Sequence, residues 1–123
     1  MATLTEAQHP GEFIVSEANG TLSRETVTIT GGDYAPGTVL GLLTSGGNAG
    51  SWTQLTVGAS DGSQTASAVL FGHVDASEAD QSGVIVRRLA EVRDVELIWP
   101  DGITTNQKNT AIGQLALAHI VVR

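Results

Sequence analysis

The residues of this chain arranged most like a catalytic device are Gly58-Ala59-Ser60-Asp61-Gly62, a formal Gly-x-Ser-x-Gly. In α/β-hydrolases that pattern holds a nucleophilic serine on a strained turn between a strand and a helix. An acid and a base follow in a matching order, Asp75 or Asp80 and then His119, so acyl transfer by Ser60 with His119 is the chemistry to weigh. The surroundings do not fit it. Ser60 is followed by a turn at Asp61-Gly62 and an apolar, strand-like run, with no helix and no alternation of strands and helices. The motif reads as a turn, with a small serine hydrolase as the rival reading.

Other candidate chemistry is thinner. His9, His73 and His119 are scattered, without the His-x-His or His-Glu-x-x-His spacing of a metal site. His73 reads as a strand residue with a satisfied ring. Asp75, Ser77, Glu78 and Asp80 lack the ligand spacing, central Gly and twelfth-position Glu of a calcium loop, so they read as a solvated acidic loop. The Gly pairs at 31–32 and 46–47 lack the Lys of a phosphate loop. Asn19-Gly20-Thr21 is a glycosylation sequon, idle without a secretory route. The expectation is no catalytic residue, no metal and no cofactor.

The elements are better marked than the sites. From Ser60 to Arg88 the chain runs through the Asp61-Gly62 turn, an apolar run from Ala66 to Val74, the acidic loop, and Val84-Ile85-Val86. Gly accepts the positive φ of a tight turn, and β-branched runs suit a pleated, buried surface. Two such runs with no helical period between them predict an antiparallel β core. Residues 1–11 carry little pattern and end in Pro10-Gly11, an extended arm. Asn19-Gly20 marks a turn, and Val27 and Ile29 then alternate with Thr26, Thr28 and Thr30. Arm plus hairpin is therefore expected over residues 1–30.

Further on, Gly31 to Gly37 reads as a loop, Thr38 to Thr44 as a buried strand, and Ser45 to Gly50 as a flexible tip. Trp52 to Val57 reads as a half-exposed strand, and Leu89 to Trp99 as extended chain broken by Pro100-Asp101-Gly102. Thr104 and Gln107 have capping-box spacing, which predicts a short helix over about 104–113 closed by a left-handed Gly113. Leu115 to Val122 is read as a strand. The fold class is mainly β: an arm over 1–17 and one β-rich domain over 18–123.

Composition limits the partners. The 123 residues suffice for one domain that buries roughly two-thirds of its unfolded surface. Absence of cysteine excludes disulfides and Cys-based zinc sites. Net charge is −7, with 13 Asp and Glu against six Lys and Arg, which argues against binding nucleic acid or an anionic membrane. The N-terminus lacks a signal-peptide pattern, and no apolar run nears the roughly 20 residues of a membrane helix. Synthesis in the cytoplasm is expected. With two Trp, two Phe and one Tyr, an aromatic platform for a sugar is poorly supplied, which weakens a reading as a small β-barrel ligand-binding module.

What remains is Glu12-Phe13-Ile14-Val15-Ser16, an apolar patch on the arm. Its residues either pack on their own domain or add a strand to another protein's sheet. Trp99-Pro100 is a core plug or an interface anchor, and Trp52 is a second candidate anchor.

Glu12-Phe13-Ile14-Val15-Ser16, Ser23-Arg24-Glu25-Thr26-Val27-Thr28-Ile29, Pro36-Gly37-Thr38-Val39-Leu40-Gly41, Asp61-Gly62-Ser63-Gln64 and Leu97-Ile98-Trp99-Pro100, in that order, resemble the bacteriophage head decoration protein family. The resemblance covers about residues 12–122. It implies a bent antiparallel ribbon of the β-clip kind, or partial barrel, with one short C-terminal helix. It implies homotrimers on the local three-fold axes of the expanded phage head, on its outer surface, clamping the major capsid protein against the pressure of packaged DNA. It also implies that the N-terminal arm orders on the capsid protein and joins its sheet.

Overall fold

A computed structural model describes residues 10–123. The expected arm is therefore described only from Pro10 onward; residues 1–9, with His9, lie outside the described residues. The strands are β1 (Ile14–Glu17), β2 (Arg24–Ile29), β3 (Asp33–Tyr34), β4 (Val39–Leu42), β5 (Trp52–Gln54), β6 (Ala68–Leu70), β7 (Val74–Asp75), β8 (Gln81–Val86), β9 (Ala90–Val92) and β10 (Ile120–Val122). A single helical turn, α1 (Gly20–Ser23), precedes β2, and the one long helix is α2 (Thr105–Leu117).

Five strands close a barrel in the order β2-β5-β4-β6-β8. Its longest seam is antiparallel, from Arg24↔Val86 to Ile29↔Gln81. The expected pairing of the two apolar runs is present, Val69 opposite Val86 and Leu70 opposite Ile85. The closing seam is a single parallel pair, Ile29↔Trp52. Ile29, Leu40, Trp52, Ala68, Leu70 and Ile85 fill the interior. In β2 the alternation is as expected, with Ile29 buried, Val27 half-buried, and Thr26 and Thr28 exposed, but Thr30, expected on the same face as those threonines, is buried just past the strand.

The strands β4, β6 and β8 also bury their other face. Val39, Val69 and Val86 point away from the barrel into a second core with Phe13, Val92, Leu115 and Ile120. A strand covered on both sides reads as a continuous apolar run, as Ala68-Val69-Leu70 and Ile85-Val86 do. Each such side chain contributes on the order of 1.5–3 kcal/mol.

Loop 61–63 crosses β4 closely. A Cβ on Gly41 would lie 2.7 Å from the Ser63 backbone, and one on Gly62 (φ +105°) 2.3 Å from the Leu42 carbonyl oxygen. The Asp61-Gly62 turn is thus required by contact as well as by φ.

Several expectations change. The expected hairpin over the first 30 residues is absent from its described part: β1 runs antiparallel to β9, Ile14 opposite Val92 and Glu17 opposite Ala90, and α1 carries the chain across to β2. The half-exposed strand expected from Trp52 to Val57 is regular only over Trp52–Gln54, and two of its residues are buried: Trp52 in the barrel and Leu55 in the second core. The extended run from Leu89 is interrupted by a 3-10 turn at Asp94–Glu96, which leaves Val95 90% exposed.

The capping box is formed: Gln107 N–H donates to Thr104 Oγ1 (3.1 Å) and Thr104 N–H to Gln107 Oε1 (2.9 Å). The helix continues past the expected end at Gly113, because Ala111 and Leu115, one turn apart, both bury in the second core. Leu115 and Ala116 are thus helical, and the strand begins at Ile120. His119, not Gly113, takes the left-handed conformation (φ 61°) that turns the chain into β10.

Phe13, 1% exposed, is a core residue of this domain. Phe13→Ala should lower unfolding stability by about 3–5 kcal/mol in urea denaturation. Val95→Ala should change it by less than about 0.5 kcal/mol. Equal midpoints for the two variants would refute the placement of Phe13.

Candidate functional site

The catalytic candidates are not assembled into a site. Ser60 is exposed on a loop whose next regular element is a strand, and His119 is exposed at the α2–β10 junction. Among the described residues no hydrogen bond joins Ser60 to His119, Asp75 or Asp80. The neighbouring Asp61 instead accepts from the Ser63 hydroxyl (2.6 Å) and N–H (3.1 Å), and these bonds hold its carboxyl below the usual range. Asp75 is held down in the same way by the Ser77 hydroxyl and N–H. Asp80 accepts from Thr30 Oγ1 at 2.6 Å.

His73 is exposed just before β7, its ring paired with Asp33 across the β3–β7 ribbon. Among the described residues no group of three or more His, Asp or Glu is placed to hold a metal ion, and no helix is long and apolar enough to cross a membrane.

The surface best placed for recognition is a three-stranded sheet in the order β1-β9-β10. Its inner face carries Ala90, Val92 and Ile120 into the second core. Its outer face carries the row Ser16–Glu91–Val121, since both outer strands align with Glu91. Glu91 accepts from Arg123 Nη2 at 3.0 Å. That hydrogen bond, and then the charge of Arg123, hold the Glu91 carboxyl below its ordinary range. Val15 and Val121 stand exposed on β1 and β10 at 44% and 42%. Among the described residues both strands pair on one side only, and an unpaired strand edge is a template for another chain.

The expected arm residues divide across this sheet. Phe13 is buried and Ile14 packs partly against the second core, whereas Glu12, Val15 and Ser16 are exposed. The register shift between Ile14 and Ser16 is a bulge. Glu17 is bound by Arg24, whose guanidinium lies 4.0 Å from the Phe71 ring centroid, so β1 is clipped to the barrel.

Of the candidate anchors, Trp52 is 4% exposed inside the barrel, which corrects its reading as a surface anchor. Trp99 is half-buried against the second core, and its Nε1 donates to Asp94 Oδ1 (3.0 Å). Lys108 Nζ contacts the same carboxylate at 2.8 Å and lies 5.5 Å from the Trp99 ring centroid. Pro100 is half-buried beside it. Sequence reasoning missed Val121 and the Glu91–Arg123 pair. The strand pattern of Ile120-Val121-Val122 pointed to the former, while the parallel β9–β10 pairing needed for the latter has no local signal.

The family model of bacteriophage lambda head decoration protein D matches residues 3–120. No curated protein gives a significant match.

Because folding lowers the Glu91 carboxyl, its pair with Arg123 adds stability above the unfolded-state value, and this is lost as pH falls through the folded one. Carboxyl NMR titration should find Glu91 below the ordinary glutamate range. Arg123→Ala should move its midpoint upward, and an unmoved midpoint would exclude Arg123 as the cause.

Proposed function

The chain belongs to the bacteriophage lambda head decoration protein D family, and from that premise we propose that it binds the outer surface of the expanded head as homotrimers at local three-fold sites and stabilises the shell against packaged DNA. The family is structural, its place is the virion, and its partner is the phage capsid. The protein works by adhesion without catalysis, and contacts the major capsid protein rather than DNA. Its net charge of −7 supports that reading, since DNA attracts clustered cations.

The observation that carries the mechanism is the β1 edge. Phe13 in the core and the Arg24–Glu17 pair fix this strand to the domain, while Glu12, Val15 and Ser16 face outward. In our reading, residues 1–17 form the capsid-contacting segment, with residues 1–9 as its leading part and Phe13 and Ile14 as its root. A strand added by the capsid subunit gains main-chain hydrogen bonds, and a rooted strand transmits them to the whole domain. The root also means that removing all of 1–17 would strip Phe13 from the core. The informative truncation is therefore residues 1–9.

Co-sedimentation with expanded empty heads tests the reading. The full chain should saturate at about one copy per major capsid subunit, as closed three-fold assembly requires, and should not bind unexpanded heads. A chain lacking residues 1–9 should melt like the full chain yet lose binding. Undiminished binding by the truncated chain would exclude the arm, and no binding by the full chain would exclude decoration.

A further inference from the structure

Two aspartates of this chain are followed by glycine, at Asp61-Gly62 and Asp101-Gly102. In such a pair the glycine amide nitrogen can attack the aspartate carboxyl carbon, because glycine has no Cβ to obstruct the approach and its backbone turns freely. The fold gives the two pairs opposite surroundings.

Asp61-Gly62 is held at every polar atom that the attack would use. The Asp61 carboxylate accepts from the Ser63 N–H (3.1 Å) and hydroxyl (2.6 Å), and Gly62 N–H donates to Gln64 Oε1 (2.8 Å). The Asp61 carbonyl accepts from Thr44 N–H at 2.7 Å. The loop also lies tight against β4, as the 2.3 Å from a Gly62 Cβ to the Leu42 carbonyl oxygen shows.

Asp101-Gly102 is the middle of a turn closed by Ile103 N–H donating to the Pro100 carbonyl (3.3 Å), with Gly102 at φ +76°. Both residues are exposed, and nothing lies within 4 Å of where a Gly102 Cβ would stand. Among the described residues no hydrogen bond or ion pair engages the Asp101 carboxylate or the Gly102 N–H. The pair borders an open hollow of about 430 Å³, which admits water and leaves the side chain room to swing.

We propose that Asp101 is a site of spontaneous isomerisation to isoaspartate through a succinimide closed by Gly102. The Gly102 nitrogen bonds to Asp101 Cγ, and the carboxyl C–OH bond breaks. The displaced hydroxyl leaves as water with the amide proton. A second water then opens the ring. Attack at Cγ restores aspartate, whereas attack at the Asp101 main-chain carbonyl carbon leaves the backbone running through Cγ. The product has the same composition, with a main chain one methylene longer between Pro100 and the Thr104–Gln107 capping box. The reaction needs only water, so it stands apart from the capsid reading.

Incubating the folded full chain in heavy-oxygen water at neutral pH tests this, since each ring opening leaves a heavy oxygen at the aspartate. After digestion in ordinary water, fragment masses should place the label, and an isoaspartate signature, at residue 101. Asp61 should carry about tenfold less label, because three hydrogen bonds must open before its ring can close. In urea the two sites should label alike. Asp101→Glu, which would need a larger ring, should show neither label nor isomer at that position. The proposal is overturned if residue 101 stays unlabelled in the folded chain, or if Asp61 labels equally there. Persistence of the difference in urea would trace it to neighbouring sequence and overturn the role given to the fold.

Discussion

The domain depends on a wall that is buried on both sides. In β4, β6 and β8, neighbouring side chains leave for opposite cores: Leu40, Leu70 and Ile85 into the barrel, Val39, Val69 and Val86 away from it. Strand geometry makes this unavoidable, because successive Cβ atoms point to opposite faces. A slip of one residue would exchange the two sets completely, so the wall has one register. It also creates an obligation. The outward valines need a cover, and the cover is the three-stranded sheet with α2, delivered by residues from both ends of the chain: Phe13, Val92, Leu115 and Ile120. The surface proposed for recognition is the far side of that cover.

How much of this was legible follows from which interactions are local. Val27 and Ile29 alternate with threonines because one face of β2 is wet, and that pattern stands in the sequence. So does the start of α2, where Thr104 and Gln107 satisfy each other's N–H groups. The end of α2 was not legible. Gly113 looked like a stop, but the burial of Leu115 outweighs the modest cost of an internal glycine. The partner of β1 was hidden for a related reason. Asn19-Gly20 has the local chemistry of a hairpin turn, whereas the partner strand lies more than 70 residues away and is chosen by the core under Phe13.

The candidate sites divide along the same line. The Gly-x-Ser-x-Gly pattern was dismissed on its flanking elements, and Asp61, its acidic member, is spent on an internal turn. The Asp75–Ser77 turn repeats that use of a carboxylate, which shows why acidic residues accumulate here without forming a ligand cluster. Glu12, Val15 and Ser16 were identifiable as a strand-forming patch, but their division from Phe13 and Ile14 required the bulge at Val15.

The flanking of β9 by β1 on one side and β10 on the other has a consequence for synthesis. The strand β1 waits for residue 92 before it has its partner. The sheet waits further, until residue 122 has left the ribosome, for its last strand and for Ile120 to enter the core. Contacts of such long sequence separation form late and slowly. A chain interrupted before β10 would therefore lack the finished cover over the outward valines.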